Sequence, residues 1–283
     1  MQYIDPIDFA LPIFVVMIGV EAWYDLRRHS HNYELKDTWT NIALGVISVA
    51  FGLLFAYILY YFYSLLYDLA PYKISMNSWW PWVVLILVDD LIYYWFHRLS
   101  HKSRLFWNFH VVHHSSEHFN LSVAVRQSWF SNGVNWIFYI FLGFLGFPLW
   151  AFVFVHGANL TYQYWIHTAY VKNTGPFEYF MNTPSHHSVH HAVNDIYLDK
   201  NFAGTFIIWD RLFGTFQQET EQPRYGITKP IKSFNWIWIN THGWFEMFEA
   251  MGERKSLPGK LRCIFASPNM DFVEDTKTLA DTK

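Results

Sequence analysis

Four apolar stretches set the terms for this chain: Phe9–Tyr24, Asn41–Tyr67, Trp79–Phe96 and a long one from Trp129 to Ile166. A helix needs about 20 apolar residues to cross the hydrocarbon core of a bilayer. The second stretch exceeds that length and the third approaches it. The fourth is long enough for two crossings joined at Gly146-Phe147-Pro148, while the first is marginal in length and is expected to lie partly in the interface. Composition agrees, with 52% hydrophobic, 21% aromatic and only 15% charged residues. The expectation is an all-α, polytopic transmembrane bundle of about four to five membrane-inserted helices. No basic region precedes the first stretch and no small-residue cleavage site follows it, so it reads as a retained span and not as a signal peptide.

Charge excludes some functions and orients the rest. A net charge of -3 argues against nucleic acid as a partner. Arg27 and Arg28 follow the first stretch and Arg98, Lys102 and Arg104 follow the third, whereas the loop 68–78 between them carries only Lys73. The positive-inside rule then places both basic ends in the cytoplasm. Threaded onward, Trp129–Gly143 leaves that side and Leu149–Ile166 returns to it. Segments 97–118 and 167–191 thereby meet on one face, as a cytoplasmic histidine-rich helical cap. Two units are expected: residues 1–216 form the membrane domain, and 217–283 form a C-terminal segment. In the latter, Trp236, Trp238, Trp244, Phe245 and Phe248 suggest an interfacial amphipathic element before a charged, disordered tail. Bacterial inner membrane and endoplasmic reticulum both suit such a chain.

The fifteen histidines carry the chemistry. Three clusters stand out: His97-Arg-Leu-Ser-His101, His110-Val-Val-His113-His114, and His187-Ser-Val-His190-His191 with His186 just ahead. Their spacings of three and four put imidazoles on one helical face, as a multi-ligand metal site requires. The nine-residue step from His101 to His110 would turn a continuous helix by about 180°. A break near Lys102-Ser103-Arg104 is therefore expected. Gln163 and His167 form a further pair four apart. His29, His31, His118, His156 and His242 read as ordinary polar or helix-end residues.

Cys263 is the only cysteine, which excludes thiolate-rich zinc and iron–sulfur sites. Eight or nine imidazoles exceed one tetrahedral zinc and suggest two ions of higher coordination number, for which iron is suited. The Glu-x-x-His pairs of carboxylate-bridged di-iron bundles are missing. Asp89 and Asp90 lie inside an apolar run, where carboxylates are costly. Asp90, seven residues before His97, is placed to accept the second N–H of a ligand imidazole, or alternatively to bond Tyr93, Tyr94 or a tryptophan. Glu117 reads as a ligand, proton relay or substrate anchor, or else as a solvated loop carboxylate.

Between Asp89 and Phe216 these residues resemble the fatty acid hydroxylase/sterol desaturase superfamily, with its His-x3-His box and two His-x2-His-His boxes. Tyr93–Arg98, His113–Glu117 running on through Asn120-Leu121 to Arg126–Ser128, Gln163-x3-His167-Thr168, Asn194, Asp199-Lys200-Asn201 and Trp209–Phe216 look like the branch containing alkylglycerol monooxygenase. The resemblance implies a di-iron centre held by His97, His101, His110, His113, His114, His187, His190 and His191, with His167 a ninth ligand. It adds Asn194 to Glu117 and Asp90 as candidate catalytic residues. Gln163 stands where relatives carry histidine, and His186 falls outside the paired-histidine pattern, so both are expected behind the ligands.

The implied activity is O2-dependent hydroxylation of a lipid C–H bond, for example in an ether lipid. Sterol, fatty-acyl, carotenoid or amino-lipid hydroxylation and desaturation are alternatives on the same site. No nucleotide-binding loop or haem attachment motif is present, so electrons must come from outside, from a reduced pterin, a ferredoxin or a cytochrome b5-type carrier. A zinc-dependent membrane hydrolase would leave half the histidines unexplained. A metal transporter would place its ligands near mid-membrane and not at the ends of spans.

Overall fold

The computed structural model describes residues 4–268; the rest of the expected charged tail lies outside the described residues. The described residues form twelve α-helices and no strand: α1 (Pro6–Arg28), α2 (Leu35–Leu69), α3 (Trp79–Lys102), α4 (Arg104–His114), α5 (Leu121–Ala124), α6 (Ser131–Asn135), α7 (Phe141–Phe144), α8 (Leu149–Trp165), α9 (Pro184–His190), α10 (Ile208–Phe213), α11 (Trp236–Gly252) and α12 (Leu257–Phe265). One isolated bridge pairs Ala192 with Tyr225.

Helix α1 is longer than its apolar stretch. Asp5 caps it by accepting the Ile7 N–H at 3.0 Å, Pro6 begins it, and Arg27 and Arg28 complement the carbonyl end of its dipole. Its 23 residues span about 35 Å, so the expected marginal, partly interfacial segment is instead a helix of full crossing length. Helix α2 has 35 residues, about 52 Å, and must project beyond a hydrocarbon core of about 30 Å. Both are long and apolar enough to cross a membrane. Their outward residues are apolar, with Val15, Leu53 and Tyr57 each at least 70% exposed. A hull of this kind is what a lipid environment tolerates and water does not.

Residues 129–143 differ from expectation. Instead of one crossing helix they form α6, a single 3-10 turn at Trp136–Phe138 and α7. Asn132, Gly133 and Asn135 are weak helix formers, which accounts for the break. The path nevertheless keeps pace with α2: Val125 lies against Gly45, Asn132 against Gly52, and Gly143 against the Tyr63 carbonyl. The turn back is made at Gly146. Its φ of 92° and the Tyr72 carbonyl oxygen, 2.1 Å from where a Cβ would sit, admit only glycine.

Helix α8 returns alongside α1 and α3. Phe14 stacks on Tyr164 at 3.7 Å, and Trp82 packs edge-on against Trp150. Helices α1, α3 and α8 therefore run toward one end of the bundle, while α2 and the broken segment run away from it. The far end is closed by a core that includes Tyr63, Leu85, Tyr139, Leu142 and Phe152. At the near end, α3 stops at Lys102, Ser103 adopts extended backbone, and α4 starts at Arg104, the break expected there. Helix α11 packs on α4 through Trp244 against Phe109, and the Arg104 N–H reaches the Ala266 carbonyl just past α12. Trp236, Ile237, Trp238, Phe245 and Phe248 of α11 remain exposed.

Candidate metal centre

Four segments converge at the near end: the last turns of α3, the length of α4, the residues after α8, and α9. They bring nine imidazoles into two groups. His97, His101, His110, His114 and His190 form the first; His113, His167, His187 and His191 form the second. Within each group the ligand-capable atoms lie within 4.8 Å of one another. The His-x-x-His-His boxes are read in opposite senses. In α4 the pair four apart, His110 and His114, joins the first group and His113 the second. After α9's start, the pair four apart, His187 and His191, joins the second and His190 the first. Each box thus contributes to both groups.

Ring orientation is set by main-chain carbonyls. His97 Nδ1 donates to the Phe202 carbonyl at 2.8 Å and His190 Nδ1 to that of Lys200 at 2.9 Å. His113 Nδ1 donates to Arg126 at 3.0 Å and His167 Nδ1 to Gln163 at 2.8 Å. With the proton on Nδ1, each Nε2 carries a bare lone pair. His113 Nε2 and His167 Nε2 nevertheless face one another at 3.2 Å. Two lone pairs make no hydrogen bond, so this contact is stable only around a shared cation.

The other Nε2–Nε2 separations are 2.9 Å for His97–His110, 3.1 Å for His110–His114 and for His114–His190, 3.0 Å for His167–His187 and 3.1 Å for His187–His191. With metal–nitrogen bonds of about 2.1 Å, adjacent ligands of an octahedron lie about 3.0 Å apart and those of a tetrahedron about 3.4 Å. The spacing favours the octahedron. His101 Nε2 is buried with no partner, which is how a ligand atom appears without its ion. Burial, with neighbouring imidazoles adding to it, pushes His113 and His190 down to about 3; burial also lowers His167, to about 4. All three are neutral at pH 7, as metal ligation needs. The donor set fits two metal ions.

The remaining candidates sit elsewhere. Asp90 is buried, but no imidazole is among its partners. It accepts the main-chain N–H groups of Thr205 and Phe206, Trp209 Nε1 and Asn159 Nδ2 at 2.7–3.1 Å. It ties Thr205, Phe206 and the start of α10 to α3. The expected imidazole contact is absent because carbonyls already take the Nδ1 protons. Asp89 bonds His156 at 3.0 Å and Asn159 at 2.8 Å. Asn194 is structural in geometry, donating to the Gln222 carbonyl and accepting the Arg224 N–H. Gln163 lies behind His167, its amide bonded to Asn159 at 2.8 Å. His186 is buried against Phe216 and joins neither group. His29, His31, His118, His156 and His242 also stay outside both.

Glu117 is exposed on the loop after α4, so the relay and ligand roles lose their setting. Glu117→Gln is expected to keep its iron and its rate within about twofold, the usual tolerance of a surface substitution. A large loss of rate in that variant, measured at saturating substrate, would restore Glu117 to the mechanism.

Sequence reasoning missed the groups that aim the rings. Main-chain carbonyls leave no residue-type signal. Arg126 left a faint one, as an arginine between the second box and an apolar run. It is buried and donates to the Val112 carbonyl at 2.6 Å, Asn41 Oδ1 at 2.7 Å and Ser115 Oγ at 2.7 Å. Glu21, inside α1, accepts from Leu121 N–H, Tyr33 and Thr168 and pins that helix to the site end. A cleft lined by Trp107, His114, His190, Leu198 and Ile227 opens on the first group.

The sequence profile of the family described as fatty acid hydroxylase matches residues 82–215, a span that contains all nine converging histidines. In these residues the chain is similar to the fatty acid hydroxylases. The chain is 38% identical to the alkylglycerol monooxygenase of Homo sapiens over 270 residues, which is 93% of this chain and 60% of that protein. It is 38% identical to the Danio rerio alkylglycerol monooxygenase over 92% of this chain and 58% of that protein. An ornithine lipid hydroxylase of Rhizobium tropici is 30% identical over 48% of this chain and 43% of its own length. The chain thus spans about 60% of the length of the curated alkylglycerol monooxygenases it matches. No solved structure matches the chain.

Proposed function

We propose that the chain is a membrane-bound, O2-dependent di-iron monooxygenase that hydroxylates a C–H bond of a lipid. The sorting of nine imidazoles into five and four carries this reading. A hydrolytic zinc site uses three protein ligands and a water, which leaves most of these histidines idle. The ligands proposed are His97, His101, His110, His114 and His190 for one iron, and His113, His167, His187 and His191 for the other.

The chemistry supplied by a bound iron pair is reductive activation of dioxygen: with two external electrons and two protons, one oxygen atom enters the C–H bond and the other leaves as water. The chain's own contribution is placement and exclusion. The carbonyls of Lys200, Phe202, Arg126 and Gln163 fix the tautomer and direction of four rings. Burial keeps the histidines neutral and limits water around a reactive site. The cleft beside Trp107, Leu198 and Ile227 reaches the first group but, at about 50 Å³, is too small to hold a lipid chain as it stands.

The likeness to alkylglycerol monooxygenases favours an ether lipid. Hydroxylation of the carbon beside the ether oxygen gives a hemiacetal, which collapses to an aldehyde and a glycerol derivative, with a reduced pterin as the first donor to test. An amino-acid-containing lipid is the second substrate class, from the ornithine lipid hydroxylase likeness. The histidine end is assigned to the cytoplasm because Arg27, Arg28, Arg98, Lys102 and Arg104 gather there. Helix α11, with its exposed aromatic residues, is assigned to the membrane interface.

Elemental mass spectrometry of the detergent-purified protein should find about two irons per chain. Such protein, supplied with alkylglycerol, O2 and reduced pterin, should release aldehyde. One tightly held zinc, persisting after anaerobic iron reconstitution, would replace this reading with a hydrolase or metal-handling protein.

A further inference from the structure

The carbonyls that aim His97 and His190 both come from loop 199–203. That loop is irregular, and Asp199 and Asn201 take left-handed backbone with φ of 60° and 54°. Such conformations are disfavoured for residues with a side chain and persist only where the surroundings hold them. Two buried side chains do so. Asn201 donates to the carbonyls of His186 at 3.0 Å and Gln217 at 2.7 Å, and accepts the Gln217 N–H at 2.8 Å. Asp210, on α10, accepts the Phe202 N–H on Oδ1 and the Ala203 N–H on Oδ2, both at 2.8 Å, and the Thr215 hydroxyl at 2.6 Å.

The second of these bonds matters most. The Ala203 N–H and the Phe202 carbonyl belong to one peptide group. One side of that peptide touches the Asp210 carboxylate, and the other receives the His97 Nδ1 proton at 2.8 Å. We propose that Asp210 is a positioning residue for the first histidine group, acting on His97 through the 202–203 peptide and on His190 through the position of the same loop. The inference rests on the ligand assignment proposed above.

A carboxylate at the N–H end polarises the peptide, strengthens its carbonyl as an acceptor and makes His97 Nε2 a better donor to a metal. The chain of bonds extends outward. Arg98 donates to the Tyr94 hydroxyl at 3.1 Å, which lies 2.8 Å from Thr215 Oγ1, itself bonded to Asp210. In the second group, His113 and His167 take their carbonyls from Arg126 and Gln163 instead. The influence of Asp210 should therefore be felt by one group and not the other.

The test is anaerobic titration of the full-length, detergent-purified chain with ferrous ion, comparing the parent with Asp210→Asn and Thr215→Val. Asp210→Asn keeps the shape but turns one oxygen into a donor that faces a main-chain N–H. It is expected to weaken one of the two irons by about 10–100-fold, the usual effect of losing an outer partner of a ligand imidazole. Loaded with two irons before gel filtration it should show an altered Mössbauer signal for one of them, and after filtration it should retain about one iron where the parent retains about two, with unchanged helix content. Thr215→Val, which removes one hydroxyl donor and no charge, should weaken the same iron by a smaller factor.

Parental affinity and spectrum for both irons in folded Asp210→Asn would overturn the proposal. So would loss of both irons in step with helix content, which would make Asp210 a support of the fold alone. If Asp210→Asn does not fold, Thr215→Val decides: parental affinity at both sites overturns the inference. Failure of the parent itself to bind two irons would refute the ligand assignment, and it is read before any variant.

Discussion

Alanine at His113 should abolish turnover, with a loss of at least about a thousandfold in kcat/KM, roughly 4 kcal/mol of transition-state stabilisation, and should lower bound iron toward one per chain. His113 is chosen because it belongs to the group of four. Removing one imidazole leaves three nitrogens on that ion, whereas the group of five would still have four. The ring has few degrees of freedom to be replaced by a neighbour, since His167, His187 and His191 are each already directed at the same point, with Nε2 separations of 3.0–3.2 Å. A water could enter the space, but water is a weaker ligand than imidazole for these ions and would not restore the geometry. His186→Ala is the matched control. That histidine is equally buried, lies on α9 directly before the ligand candidate His187, touches Phe216 and joins neither group, so its variant should keep both irons. Iron per chain and aldehyde release, measured together, decide the matter. Full activity in His113→Ala would remove the second group from the mechanism.

The contrast between His113 and Asp90 indicates what a sequence can disclose about such a site. The spacing of three and four in each box is a property of the chain, and it survives folding because helices α4 and α9 carry it intact. The break at Ser103 followed from the same arithmetic. The allotment of each imidazole to a group was not legible, because it depends on how α4 faces α9 across the site. Asp90 was read from its register with His97 as the partner of an imidazole, or else as bonded to a tyrosine or tryptophan; its oxygens are taken by the Thr205 and Phe206 N–H groups and by Trp209, more than a hundred residues away in sequence. Main-chain carbonyls do that work instead, and a carbonyl looks the same behind every residue type. Glu117 had the right neighbours in sequence, but the chain leaves α4 with its side chain exposed. Hydropathy likewise gave the course of residues 129–143 along α2 without their form. A run that is apolar on average breaks where Asn132, Gly133 and Asn135 favour turns over helix.

Arg126→Ala is expected to be the most destabilising single change, costing about 3–5 kcal/mol, because it removes one member of a buried charged network and strands the rest. The guanidinium is 2% exposed and lies 3.6 Å from Asp37, itself 4% exposed. Its three nitrogens satisfy Val112 O, Asn41 Oδ1 and Ser115 Oγ, which joins the start of α2 to the end of α4. Burial lowers the guanidinium to about 10, while the charge of Asp37 opposes that shift, so it stays ionised at pH 7. Without it, Asp37 keeps the hydrogen bonds from Asn41 and Ser116 but loses its counter-charge. Iron should fall as well, since the Arg126 carbonyl orients His113 and moves with the loop. Arg126→Lys should recover part of the stability only, because an ammonium cannot reproduce the planar fork that reaches three acceptors. The sharper comparison is the pair Arg126→Met with Asp37→Asn. If the stranded carboxylate is the source of the cost, the double variant should unfold at a higher temperature in detergent than Arg126→Met alone. A double variant no more stable than the single one would place the cost in the lost hydrogen bonds to Val112, Asn41 and Ser115, and Asp37 would then contribute little to holding α2 against the metal site.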